Sequence, residues 1–440
     1  MIAIATALFV IRNMMGNSEP ANPVRRTALN GIEPSGVAID APSGQVFIVG
    51  YDGRRRRVWT LDAASGEVLP TDENKGAPVG ILVDARVGRS LPIMDDGTST
   101  TGWVRAIGVR SFLYTITLGG KENVATGAFI PVREIALSQR FAHLFVPDDI
   151  SGVDPKADGM VSTRDATTGR LLKRIRMGHR ITGLSADDQS GHVFGIDSSD
   201  ASIGMLNART GAALRTTRVG SGRKAPGFLA VDGATAHVFV AEYDGTGAPG
   251  QVAMIDARTG LVLRAVAVGR GTGDLAVDSQ TGRVFVVNSL DDSVSMLDAR
   301  TGQVLRTMTV GRDPVAIALD RHSHRVFVVN NDNDTPHHPG LDFDGPGSVR
   351  VLDAWSGTVV DTIAVGFNPQ AIQIDERTGR AFVLNYGTAN VPQRLPTGAD
   401  QWQWWPSWLR GWGPFPSQFQ QSYRSAIVPG SVSVLATGHS

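Results

Sequence analysis

The chain has 440 residues, of which 42% are apolar, 7% aromatic and 19% charged, with 51 Gly, 23 Pro and no Cys. That much apolar material excludes a disordered chain, and no uncharged apolar stretch reaches the roughly 18 residues a membrane helix needs, which excludes a multi-pass membrane protein. Lys+Arg and Asp+Glu balance at 42 each, so no net field draws nucleic acid, and the lack of Cys removes disulfides, thiolate metal sites, haem attachment and Cys nucleophiles together.

Residues 1–11, MIAIATALFVI, form an uncharged run closed by Arg12. The run has the length of a signal-peptide apolar segment, although no basic segment precedes it and no small-x-small site follows. Residues 1–20 are therefore expected to be a signal-like or anchor remnant, with a buried or disordered tail as the alternative. This points to an extracytoplasmic protein, secreted or held at a membrane through its N-terminus.

From residue 24 onward the chain repeats itself. The segment VRRTALNGIEPSGVAID (24–40) aligns with VLRTMTVGRDPVAIALD (304–320). Residues 273–311 align in the same way with 315–366. Each unit reads as four short β-rich runs, A to D, set apart by turn residues, and repeats of this length in this pattern predict propeller blades. A runs fall near Val37, Gly80, Glu134, Thr182, Phe228, Asp274, Ala316 and Ala371. The expected fold is all-β, a single propeller domain over 24–440 with four-stranded antiparallel blades. The expected number is eight, or seven if the divergent unit at 79–119 forms no blade of its own. Residues 24–30 have the pattern of a D strand with no unit of their own, while the last unit stops after its C run. The N-terminal strand is thus expected to complete the last blade and close the ring.

Two turns recur. Asp-x-x-[ST]-Gly separates A from B at Asp40, Asp187, Asp278 and Asp375, and [DN]-Ala-x-[ST]-Gly separates C from D at Asp62, Asp165, Asn207, Asp256, Asp298 and Asp353. A side-chain oxygen that opens such a turn accepts backbone N–H bonds, and the closing Gly takes a left-handed conformation. These carboxylates are read as structural.

The units resemble the YVTN-type β-propeller repeat, named for a B strand that ends in Asn. Here that strand is Val284-Phe285-Val286-Val287-Asn288, Val326-Phe327-Val328-Val329-Asn330 and Ala381-Phe382-Val383-Leu384-Asn385. Leu91-Pro92-Ile93-Met94 and Leu144-Phe145-Val146-Pro147 match it poorly. The resemblance implies a propeller and, for many such proteins, an exported or surface-associated location. Related propellers include lactonases, lyases and redox domains, and a shared fold does not choose among them.

Every long insertion is expected on one face. B–C insertions cover 148–159, 243–250, 331–347 and 387–430, and a D–A insertion covers 120–132, whereas the A–B turns stay short. Loops on a rigid scaffold carry function, so the B–C/D–A face is the expected binding surface. The 387–430 insertion holds Trp402, Trp404, Trp405, Trp408 and Trp412. These rings suit either a buried lid over the channel or contacts with a protein, carbohydrate or membrane interface. In the 331–347 insertion, Asp332, Asp334, His337 and His338 supply oxygen and nitrogen ligands that suit Ca, Mn or Zn, with a solvated polar loop as the other reading. Arg54 to Arg57 read as a solvated hairpin and His322 with His324 as turn residues. The inner strands, mostly small and apolar, nominate no acid or base.

No nucleophile elbow, P-loop or dinucleotide fingerprint is present. The sequence therefore favours a non-catalytic binding or scaffold propeller, more expected to be no enzyme than one. Its partner would be a protein or carbohydrate, with no cofactor beyond a divalent ion and no nucleic acid, and the chain would be a monomer. The alternative is a metal-dependent lactonase-like hydrolase or lyase.

Overall fold

A computed structural model describes residues 25–28, 33–40, 43–51, 56–69, 77–84, 89–95, 101–108, 112–119, 136–147, 159–219, 225–243, 247–331, 346–385, 388–392, 423–427 and 431–437. They form eight four-stranded antiparallel sheets and one two-stranded hairpin. Blade one spans 33–69, two 77–119, three 136–176, four 181–218, five 225–270, six 272–309, seven 314–367 and eight 369–436. The inner A strands of neighbouring blades pack side by side from blade three to blade eight and from blade one to blade two, and blade eight's inner strand, Pro369–Asp375, meets that of blade one, Glu33–Asp40. The fold is a β-propeller.

The strand order follows from burial. B strands such as Arg283–Asn288 are apolar from Val284 to Val287 and buried on both faces, because each lies inside its sheet and between two blades. D strands such as Val304–Thr309 are largely exposed, as befits the rim. The third B-strand position carries a fully buried ring in six blades: Phe145, Phe194, Phe239, Phe285, Phe327 and Phe382. Each core bridges two blades. Phe285, Val287 and Met296 of blade six pack with Ile317, Val328 and Leu352 of blade seven. Burying one such ring stabilises by about 1.5–3 kcal/mol.

The seam is built like the other junctions. Arg25–Ala28 pairs antiparallel with Ser431–Ala436, in the register Arg25↔Val434 to Ala28↔Ser431, and becomes the D strand of blade eight. Its Thr27 Oγ1 donates to Gly66 O of blade one at 2.7 Å. Val37, Ile48 and Leu61 of blade one share a core with Phe382, Leu384 and Val432 of blade eight. The divergent unit forms its own blade: Arg89–Asp95, which contains Leu91-Pro92-Ile93-Met94, pairs with Ala77–Asp84 on one side and Thr101–Gly108 on the other. The described residues thus make eight blades.

Among the described residues no helix is long and apolar enough to cross a membrane. Residues 1–20 lie outside the described residues.

Candidate functional site

The two faces of the ring are built differently. On the A–B/C–D face the C–D turns of blades three to seven bond themselves. Asp298 Oδ1 accepts from Arg300 N at 3.0 Å, Thr301 N at 2.8 Å and Thr301 Oγ1 at 3.0 Å, and Gly302 closes the turn at φ 69°. Asp165, Asn207, Asp256 and Asp353 do the same. Burial pushes the Asp298 carboxyl up, but the hydrogen bonds from Thr301 outweigh it, so its pKa lies below the ordinary value. For Asp353 and Asp62 the backbone hydrogen bonds from Ser356 and Ser65 come first, and their pKa values are also lowered. The A–B turns add links between blades: Ser279 Oγ donates to Asp232 Oδ1 at 2.6 Å, and Ser138 Oγ to Asp188 Oδ1 at 2.5 Å. These carboxylates are consumed as structure, as their turn positions imply.

The opposite face begins where the B strands end. Asn288, Asn330 and Asn385 are fully buried there, and Asp197 and Glu242 hold the same position in blades four and five. In blade six Asn288 Nδ2 donates to Ser293 Oγ at 3.1 Å and Ser295 Oγ at 2.9 Å. In blade eight Asn385 Oδ1 accepts from Gly366 N at 3.0 Å while its Nδ2 donates to Ser433 Oγ at 3.0 Å. The motif's Asn thus ties the D–A connection to the C strand. It also dictates a glycine beside it, since a Cβ at Gly269 would come within 2.6 Å of Asn288 Cγ.

Blade four carries a different set at this place. Asp197 Oδ2 accepts from His179 N at 2.7 Å, and Oδ1 accepts from Arg180 N and Ser199 N at 3.1 Å each. The His179 ring Nδ1 lies 2.6 Å from Asp200 Oδ2 and 3.9 Å from Asp197 Oδ2. His179 stands on the D–A connection and Asp200 on the B–C hairpin, so both the elaborated-face connections of this blade converge on one buried carboxylate.

The sequence reading missed two acids. Asp274 lies near the middle of blade six's inner strand, Thr272–Asp278, and is buried. It accepts from Leu275 N at 2.7 Å and from Ile317 N of blade seven's inner strand at 3.3 Å. The inner strands are thus not wholly without acids, and this one clips two blades together. Asp197 was missed as well, although setting the B strands under one another shows it where other blades carry Asn.

Trp402, Trp404, Trp405, Trp408, Trp412, Asp332, Asp334, His337 and His338 all lie outside the described residues. The insertions leave from the expected places. The 387–430 segment starts with a hairpin, Thr388–Pro392 paired with Tyr423–Ile427, between the B and C strands of blade eight. His322 and His324 do not pair: His322 Nδ1 lies 3.9 Å from Glu376 Oε2, and the His324 ring sits 6.0 Å from that of Trp355.

No family model matches the chain, and no curated protein matches it. Among solved structures it is similar to the hydrazine synthase of Kuenenia stuttgartiensis, with 12% identity and a TM-score of 0.48 over 82% of this chain and 94% of that one.

Proposed function

We propose that this chain is a non-catalytic binding or scaffold propeller of the YVTN type, which engages a protein or carbohydrate partner through its B–C/D–A face. The observation that carries the reading is the asymmetry of the two faces. The A–B/C–D face is closed by short turns whose polar atoms bond one another, while the long connections leave from the other face, between strands such as Arg325–Asn330 and Pro346–Asp353. A rigid ring with elaboration on one side is the arrangement that presents binding loops. We carry the Trp-rich insertion as the contact element and export as the location. The hydrolase or lyase alternative has its residues at 332–338, and Asp274, the buried acid near the middle of an inner strand, is engaged between two blades.

The test is to replace residues 393–422 by a two-residue Asn-Gly turn, which leaves the Thr388–Pro392 and Tyr423–Ile427 hairpin joined. The ring should keep its circular-dichroism spectrum, and binding to immobilised polysaccharides and to a glycan array should disappear. Binding that survives the replacement, or an intact chain that binds none of these glycans or any co-purifying protein, counts against the reading.

A further inference from the structure

We propose that His179, Asp197 and Asp200, with the hydroxyl of Ser202, form a site for a first-row divalent cation such as Mn²⁺ or Zn²⁺ on the B–C/D–A face of blade four. The ligand atoms of the first three lie within 4.8 Å of one another. The 3.9 Å between His179 Nδ1 and Asp197 Oδ2 suits two ligands of one ion, since bonds of about 2.0–2.2 Å place neighbouring ligands roughly 3–4 Å apart. The shorter His179–Asp200 contact, 2.6 Å, has only to open by less than about 1 Å on two exposed side chains.

Blade six shows what this place looks like when it is purely structural. There Arg270 occupies the position of His179 and Asp291 that of Asp200, joined by Arg270 Nε to Asp291 Oδ1 at 2.6 Å, and Asn288 stands where blade four has Asp197. At the three ligand positions two substitutions separate the blades, and both run the same way. A guanidinium that cannot give up its proton becomes an imidazole with an available lone pair, and a neutral amide becomes a carboxylate. The result is two carboxylates around one imidazole, one of them buried.

A second observation is independent of the cluster. Ser202 is Asp197's direct partner across the ladder, the place where Ser293 receives the Nδ2 of Asn288. Asp197 has no such donor. The Ser202 hydroxyl is buried, with 3% exposure of the residue, and has no hydrogen-bond partner among the described residues. Directly paired side chains lie on the same side of an antiparallel sheet, so Ser202 and Asp197 share one face. Three backbone N–H groups use three of the roughly four lone-pair positions of Asp197 and leave one for a cation.

Mixed nitrogen and carboxylate donors select Mn²⁺ or Zn²⁺ over Ca²⁺. His179 and Asp200 are 55% and 53% exposed in their side chains, which leaves room for water or a partner's carboxylate in the remaining coordination positions. The other mixed cluster among the described residues, Asp320 with His322 and Glu376, is a poorer candidate, because Arg321 Nη1 already lies 3.4 Å from Glu376 Oε1.

The experiment is calorimetric titration of the chelator-treated full chain with MnCl₂, ZnCl₂ and CaCl₂. His179→Arg and Asp197→Asn each install the residue that blade six carries at that place, and Asp200→Asn changes only an exposed side chain; circular dichroism checks that each variant keeps the ring. The wild-type chain should take up one equivalent of Mn²⁺ or Zn²⁺ that all three variants lose or bind at least about 10-fold more weakly, the scale on which even an outer partner of a metal ligand acts. Any further equivalent held elsewhere would persist in all three. A wild-type chain that binds neither ion, or any one variant that keeps the wild-type stoichiometry and affinity, overturns the proposal.

Discussion

Blades four and six share a frame and differ in what they do with one buried position. In both, the residue at the end of the B strand reaches back over the D–A connection, and in both a glycine makes room for it. Asn288 supplies donors for the C-strand serines. Asp197 supplies acceptors alone, serves three backbone N–H groups with them, and leaves Ser202 without its bond. A buried hydroxyl without a partner costs about 1–3 kcal/mol. The comparison teaches that Asn288 holds the C strand with its donors, and that a blade which puts a carboxylate in that place holds the D–A connection instead and turns a structural clamp into a charged group.

The largest effect tests whether the two blades are otherwise equivalent. Phe194→Ala and Phe285→Ala each empty a fully buried ring position and should each cost about 3–5 kcal/mol. A urea denaturation series in which one costs less than half the other would break the equivalence. Next come Gly178→Ala and Gly269→Ala. A Cβ at the first would overlap the Asp197 carboxylate and at the second would crowd Asn288 Cγ, so each should cost about 1–3 kcal/mol. Only Gly178→Ala should also weaken Mn²⁺ uptake, and equal uptake in both variants would detach the cation from Asp197.

The smallest effect concerns acid. Asp298 of blade six has a lowered pKa in the folded chain, whereas blade four has neutral Asn207 in the matching hairpin. A lowered folded pKa contributes stability that is fully present above the unfolded value of about 3.9 and is lost as pH falls through the folded value. Asp298→Asn should therefore cost under about 1 kcal/mol at pH 6, and the difference from wild type should vanish at pH values below the folded pKa. A difference that stays constant across this range would show that the charge contributes nothing.

The ring was legible because its punctuation is chemical. Asp298 and Gly302, or Asp278 and Gly282, mark hairpins by what their atoms can do, and the Val284 to Val287 run is apolar throughout because both its faces are covered. The seam was legible for the same reason, since residues 25–28 repeat the D-strand pattern of 305–308. The blade-four cluster was not. His179 and Asp200 stand on different connections, 21 residues apart, and only the curl of the D–A connection over the B strand brings them together. Its one linear trace is Asp197 at an Asn position. Asp274 was hidden too, because the corresponding inner-strand residues Ala316 and Ala371 give no hint that this position faces a neighbour's backbone N–H.

The seam also sets a timetable. Arg25 pairs with Val434, roughly 400 residues further along, and the entropy of closing so long a loop exceeds that of a short one by only a few kcal/mol. Time is the larger matter. On the ribosome the first strand is made early and must wait, without its partner, until residues 431–436 emerge, while blade eight's B strand waits with an open edge. Blades three to seven can form from their own consecutive strands in that interval. The interval before closure is therefore when this protein offers strand edges to other chains, and a chain pulled by its ends would yield first at the same clasp.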